Sequence, residues 1–103
     1  MKMLIFTVFD SAVGAYLQPF FSRSHGEAIR SFQDACNDAK SQFNQHAMDY
    51  TLFHLGSFDD GGGVFDCNPP SRVASAIELI IKSDDIVTPA PWELDSKVRI
   101  GQR

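Results

Sequence analysis

The chain has 103 residues, of which 44% are hydrophobic and 21% are charged, and its formal net charge is −4 at pH 7. This length and composition are typical of one folded domain and exclude the collagen-like and disordered classes. The negative charge argues against a broad basic groove for duplex nucleic acid, so any cationic surface must be local.

Two strands are predicted at the start of the chain. Residues 3–9, MLIFTVF, are rich in β-branched and aromatic side chains and run into Asp10, which predicts a buried strand followed by a turn. Residues 15–22, AYLQPFFS, predict a second strand, antiparallel to the first. Because Pro19 has no amide proton to give to a ladder, this strand must lie at a sheet edge or bulge there.

A helix is predicted next. Ser24 and Glu27 fit a capping box, so the helix begins near His25, and Asn37 and Asp38 are suited to end it. Apolar residues at three- and four-residue spacings form one stripe, which indicates an amphipathic helix. The stripe consists of Ala28, Ile29, Phe32, Ala35 and Cys36.

Residues 50–58 alternate regularly and predict a strand after a polar connection that Phe43 anchors. One side carries Tyr50, Leu52 and His54, and the other carries Thr51, Phe53 and Leu55. Because both sides are apolar, the second must be covered by the helix, by a partner chain or by a ligand. Residues 59–63, DDGGG, predict a hairpin loop, and residues 64–67, VFDC, predict its short return strand.

The last third of the sequence is less regular. Residues 71–82, SRVASAIELIIK, fit a helix with Pro70 in its first turn and fit a strand equally well. From Ser83 onward no period is visible, which predicts an extended or disordered tail over residues 83–103, docked by Trp92. The sequence therefore predicts one α+β domain over residues 1–82, a small antiparallel sheet of about four strands with one main amphipathic helix on one face, in two layers.

No group of residues indicates catalysis or metal binding. His25, His46 and His54 lack the spacing of metal ligands, and the DDGGG loop lacks the alternating oxygen ligands of a calcium loop. Serine, histidine and aspartate are present without a nucleophile elbow. We therefore expect a protein that is not an enzyme and that uses no cofactor or metal.

The cysteines and the apolar segments indicate a cytosolic protein. Cys36 and Cys67 have no second pair near either, which favours reduced thiols over a disulfide framework. No stretch reaches the roughly 18 apolar residues of a membrane span, and no cleavage pattern follows the first apolar run. We expect no membrane partner.

The aromatic residues indicate a binding function. Rings exposed on a sheet stack on unpaired bases while a few cations hold the backbone, which is how single-stranded nucleic acid is bound. The alternative for any one ring is core packing, because a small phenylalanine-rich domain needs apolar side chains inside. The candidate single-stranded DNA site comprises the aromatic residues and cations Tyr16, Phe20, Arg23, Arg30, Lys40 and Tyr50. Phe53 is a further aromatic residue on the predicted strands.

The order of the segments resembles a known phage family. YLQPFF (16–21), EAIRSFQDA (27–35) and DYTLFHLGSFDD (49–60) resemble, in this order and spacing, the small non-structural protein of gokushovirus-type microviruses, which are bacteriophages with single-stranded DNA genomes. The likeness covers residues 1–70, so nothing is carried over to the tail.

The resemblance implies a protein made in the host bacterial cytoplasm and not built into the mature capsid. Members of the family are described as DNA-binding or replication proteins that act when genome synthesis switches to single strands for packaging, and no catalytic motif is known in it. Together with the two apolar faces of the strand at residues 50–58, this resemblance leads us to expect a homo-oligomer, a dimer or higher, that binds single-stranded DNA. The acidic charge favours the alternative, an adaptor that binds a viral or host replication or assembly protein through an aromatic, acid-rimmed surface.

Overall fold

A computed structural model describes residues 1–80, which form an antiparallel sheet with one main helix. The expected tail over residues 83–103 and the docking of Trp92 lie outside the described residues. The strands are β1 (Lys2–Asp10), β2 (Ala15–Tyr16), β3 (Phe20–Ser22), β4 (Tyr50–Asp59) and β5 (Val64–Ser75). The helices are α1 (His25–Cys36), α2 (Gln42–Gln45) and α3 (Ala76–Leu79), and a 3₁₀ turn covers Ala47–Asp49.

The sheet has the order β2-β1-β4-β5, and β3 pairs with β1 on the same edge as β2. β2 and β3 are therefore two pieces of one predicted strand, interrupted at residues 17–19. The interruption coincides with Pro19, and the amide of Leu17 still donates to the carbonyl of Val8 at 2.8 Å. The expectation that this strand lies at a sheet edge is confirmed, and the break at residues 17–19 is a further finding.

A bulge in β4 bends the centre of the sheet. The pairing of β1 with β4 shifts between Ile5 and Phe6, opposite Gly56. Gly56 has a φ of 155°, and a Cβ there would lie 2.3 Å from the carbonyl oxygen of Asp66 in β5. Only glycine allows this close approach of two backbones.

The main helix begins and ends as the sequence predicts. Ser24 is the N-cap, and its hydroxyl accepts a hydrogen bond from the amide of Glu27 at 3.1 Å, while Asn37 is the C-cap. Ala28, Phe32 and Cys36 are the buried residues of α1, and they share one core with Phe6, Val8, Tyr50 and Leu52 of the sheet. The predicted apolar stripe is therefore the face of α1 that packs on the sheet.

The return strand is much longer than predicted. β5 extends from Val64 to Ser75 and includes Pro69 and Pro70, whereas the sequence predicted a strand of VFDC alone and allowed Pro70 in a helix. The prolines are tolerated because β5 is an edge strand. Up to residue 80, β5 is followed by a single helical turn, α3, which Ser75 and Glu78 stabilise with a capping box.

Candidate nucleic-acid interface

The register of the strands separates two faces of the sheet. Successive side chains of a strand point to opposite faces, so Phe6 and Val8 of β1 contact the helix-side core, whereas Thr7 and Phe9 belong to the other face. We call this second face, opposite α1, the outer face. Residues paired with Thr7 and Phe9 in neighbouring strands lie on it as well.

Three rings from three adjacent strands meet on the outer face. We call Phe9 of β1, Tyr16 of β2 and Phe53 of β4 the central aromatic cluster. The ring centroids of Phe9 and Tyr16 are 4.8 Å apart, and those of Tyr16 and Phe53 are 5.6 Å apart. Tyr16 is 47% exposed, and the two phenylalanines are half-buried. The cluster is therefore a preformed aromatic surface that is accessible from solvent.

A second set of rings lies on the same face nearer the β4–β5 hairpin loop. We call Phe21 of β3, Phe58 of β4 and Phe65 of β5 the distal aromatic cluster. The centroid distances are 6.0 Å between Phe21 and Phe58 and 4.8 Å between Phe58 and Phe65. Phe21 and Phe65 are more than half exposed. Tyr16, Phe21 and Phe65, which are exposed aromatic side chains of the described residues, all belong to these two clusters.

One cation accompanies the central aromatic cluster. Arg72 of β5 pairs in register with Phe53, so it belongs to the outer face. Its guanidinium donates to the carboxylate of Glu78 at 2.6 Å, and both side chains are about half exposed. The hydrogen bond from the amide of Ser75, and after it the one from Arg72, keep the pKa of Glu78 below its usual value. Because this ion pair is open to solvent, Arg72 can exchange its partner for a phosphate at small cost.

The predicted aromatic residues do not share one face. Tyr16 lies on the outer face, but Tyr50 pairs with Asp10, belongs to the helix-side face and is only 6% exposed. Its ring packs edge-on against Phe43, and burial raises the pKa of its hydroxyl. Phe20 pairs with Phe6 on the helix side and is half-buried. We expected these rings to share one face of the sheet, and this expectation was wrong. Side chains of successive residues in a strand point to opposite faces, so the pairing of the strands decides which rings lie together.

The predicted cations also lie apart from the central aromatic cluster. Arg23, between β3 and α1, forms an ion pair of 2.8 Å with Glu27, whose pKa this hydrogen bond lowers. Arg30 of α1 and Lys40 of the following loop are exposed. Both belong to the helical side of the sheet, so the structure brings neither of them beside Phe9 or Phe53.

The rings of two histidines contact each other on the helix side of the sheet. The rings of His25 and His54 are 4.7 Å apart, and Phe6 packs against both. The Nε2 atom of His54 is buried without a hydrogen-bond partner among the described residues. Across residues 1–80, no three or more histidine, cysteine or carboxylate side chains are grouped as metal ligands.

A concave region lies between α1 and the interrupted edge strand. It has a volume of about 220 Å³, and its lining contains no charged residue. The lining is formed by Val8, Leu17, Gln18, Phe20, Ser31, Phe32, Ala35 and Phe43. An uncharged, largely apolar cleft provides no contact for a phosphate, so it is a poorer site for nucleic acid than the outer face.

Sequence reasoning missed Phe9 and Arg72 as members of the candidate interface, and it named Phe53 among the strand rings without including it in the candidate site. Alternation within each strand was visible in the sequence, but it does not reveal which residue of a neighbouring strand stands opposite. The signal that could have found Phe9 is the hairpin register, which pairs it with Tyr16.

Comparison with known proteins yields one match. A search of curated proteins finds no match, and a search of solved structures finds no match. None of the helices within residues 1–80 has the length and apolar character required to cross a bilayer. The family model described as Phage ORF5 protein matches residues 3–79, which include the main helix and all of the five strands except Lys2, the first residue of β1. Since the match covers most of the chain, the protein belongs to the Phage ORF5 protein family.

Proposed function

We propose that this phage protein is a non-enzymatic protein that binds single-stranded DNA on the outer face of its sheet. The central aromatic cluster carries the proposal, because three rings from adjacent strands are held together on the face opposite α1. Bases stack on such rings with about 1–3 kcal/mol per base. Arg72, opposite Phe53, contributes a phosphate contact.

The chemistry of the outer face favours single strands over duplex DNA. An unpaired base offers its flat face to an aromatic ring, whereas the faces of paired bases are covered by their neighbours in the stack. Duplex binding without base contacts depends on neutralising many phosphates. Arg72 is one cation, and the chain has a net charge of −4, so this source of affinity is small here.

In this proposal, the protein binds single-stranded DNA during replication or packaging of a phage genome, in the host bacterial cytoplasm. The resemblance to microvirus non-structural proteins supports this setting. We also propose that several copies bind one strand, because repetition of a weakly cationic surface along a strand raises the overall affinity without new contacts in each copy.

Fluorescence anisotropy with labelled oligo-dT tests the site. Tyr16→Ala should weaken binding by about 5- to 150-fold, the equivalent of one lost stacking contact. Tyr16→Phe keeps the ring and should bind like the wild type.

Arg72→Ala should weaken binding, and Arg30→Ala is its matched control, an exposed arginine on the helical side. Loss of binding in Arg30→Ala but not in Arg72→Ala would move the site to the helical side. No binding by the wild type at low salt would end the proposal.

A second candidate is an adaptor for a viral or host replication or assembly protein. It is favoured by the position of Arg23, Arg30 and Lys40 away from the exposed rings, which leaves an aromatic face with little positive charge. Large exposed apolar patches are typical of protein interfaces. Capture from infected cells with and without nuclease separates the two candidates. Partners that survive nuclease and are lost in Tyr16→Ala favour the adaptor, whereas partners lost with nuclease favour DNA.

A further inference from the structure

The distal aromatic cluster is the part of the outer face that the proposed function leaves unused. Its rings Phe21 and Phe65 are more than half exposed, and both lie within 6.0 Å of the ring of Phe58 between them. Exposing this much aromatic surface to water is unfavourable. A contiguous exposed apolar patch of this kind is typical of a binding surface.

The distal and central aromatic clusters are built in the same way, around β1. In the distal cluster, Phe21 of β3 and Phe58 of β4 come from the two strands that flank β1. In the central cluster, Tyr16 of β2 and Phe53 of β4 also come from the two sides of β1. The two clusters therefore lie one after the other along β1, on the same face of the sheet.

The outer face of β1 is closed between the two clusters. Ile5 and Thr7 lie there and are buried, with Phe21 paired opposite Ile5 and Phe53 opposite Thr7. The hydroxyl of Thr7 donates to the carbonyl of Leu17 at 2.6 Å, so its polar group is satisfied within the protein. Neither residue carries a charge, and the apolar surface is therefore continuous from one cluster to the other.

The spacing of the clusters fits a strand of nucleic acid. Phe58 pairs with Met3 and Phe53 pairs with Thr7, so the two rings are separated by four residues of β1. At about 3.3 Å per residue, this separation is about 13 Å. Bases stacked as in a duplex rise about 3.4 Å per nucleotide, so about four nucleotide steps cover the same distance.

We propose that the two clusters form one binding track, in which a single DNA strand lies along β1 and stacks on both clusters at once. This inference rests on the proposed function and deepens it, because it defines the ligand as a strand of about five nucleotides or more. A dinucleotide reaches one cluster only. Arg72 lies beside the central cluster and adds a phosphate contact there, so that cluster is the one a dinucleotide occupies.

Continuity favours DNA over a second copy of the chain as the occupant of the distal cluster. A strand that stacks on Tyr16 and Phe53 and continues along β1 meets Phe21 and Phe58 next. Its later bases are then held at a high effective concentration beside the distal rings, whereas a second copy has to be recruited from solution.

The length of the DNA and the loss of one ring together test the track. Fluorescence anisotropy measures the binding of an oligo-dT of about eight nucleotides, and NMR titration measures the weaker binding of the thymidine dinucleotide. Phe65→Ala should weaken binding of the longer strand by about 5- to 150-fold, the equivalent of one lost stacking contact, and should leave dinucleotide binding unchanged. Phe65→Tyr keeps the ring and should bind both ligands like the wild type.

Val64→Ala is the matched control for Phe65→Ala. Val64 is 58% exposed and Phe65 is 62% exposed, but successive side chains of β5 point to opposite faces of the sheet. Val64→Ala should therefore leave the binding of both ligands unchanged. Tyr16→Ala, in the central cluster, should weaken the binding of both. Because Phe65 is exposed, its truncation leaves the core intact, and the NMR spectrum of the variant checks the fold.

Three results would overturn the track. The first is equal binding of the longer strand by Phe65→Ala and Val64→Ala, and the second is equal weakening of both ligands by Phe65→Ala. The third is a lower molecular mass of Phe65→Ala in light scattering with unchanged DNA binding, which would assign the distal cluster to a second copy. Each of these leaves the proposed function standing, whereas no binding of either ligand by the wild type would end both.

Discussion

Phe32 is the largest side chain that α1 buries in the core. It is 4% exposed, and its ring centroid lies 5.4 Å from that of Phe43. Phe32→Ala should lower the free energy of unfolding by about 3–5 kcal/mol, because it removes apolar burial and leaves a cavity. Denaturant unfolding measures the change. Val13→Ala, at a position 72% exposed, is the control and should change it by less than about 0.5 kcal/mol. Equal effects would contradict the assignment of the helix face.

The two cysteines should differ sharply in reactivity. Cys36 is buried, and burial raises the pKa of its thiol from 9.0 to about 11, whereas Cys67 is exposed. Since the thiolate is the reactive form, Cys67 should react first with a thiol reagent at pH 8, and Cys36 only after unfolding. Counting modified thiols by mass spectrometry checks this. Fast modification of both sites in the native protein would contradict the burial of Cys36.

The raised pKa of Cys36 also makes stability depend on alkaline pH. Between the unfolded value of 9.0 and the folded value of about 11, the unfolded chain loses the thiol proton and the folded chain keeps it. The contribution is fully present below pH 9, and the free energy of unfolding should fall as the pH rises toward 11. Tyr50, whose pKa burial also raises, acts in the same direction. Cys36→Ala should therefore show a shallower decline, and an equal decline would assign the effect to Tyr50 and other groups.

At the scale of the elements, the bulge of β4 is the most demanding feature of the sheet. Gly56→Ala would bring a Cβ to 2.3 Å from the backbone of Asp66 at a φ of 155°, and should cost about 3 kcal/mol or more. Gly14→Ala also has a positive φ, 72°, but meets no atom within 4 Å. It should cost about 1–2 kcal/mol, from the conformation alone. Thermal unfolding of both variants compares them, and similar losses would show that the strands separate at the bulge.

The elements differed in how far local pattern could predict them. Ser24 and the apolar stripe indicated α1 correctly, because a cap and a helical period are local signals. The alternation of residues 50–58 likewise indicated β4. β5 was predicted too short, because Pro69 and Pro70 normally end a strand. They are acceptable here because they lie on a sheet edge, in a stretch of β5 that has no partner in β4.

For the whole molecule, the balance of rings and charges predicts weak salt dependence. In the proposed complex with single-stranded DNA, Arg72 is the main cation of the outer face, so we expect each copy to contact one or two phosphates. The slope of log K against log salt should then be about −0.7 to −1.4 for single-stranded DNA. Titrations between low and moderate salt measure it. A slope steeper than about −3 would show that further cations, such as Arg23, Arg30 or Lys40, contact the strand.

The sequence by itself determined β1, β4, α1 and the core face of α1, because capping and periodicity act between residues close in the chain. It also determined that β4 carries apolar side chains on both faces. Only the tertiary structure decided which rings share a face. Phe9, Tyr16 and Phe53 lie together on the outer face, whereas Tyr50 is buried in the core. The reason is strand register, since a shift of one residue between neighbouring strands exchanges the two faces, and register depends on turns and on a bulge that pairs residues far apart in the chain.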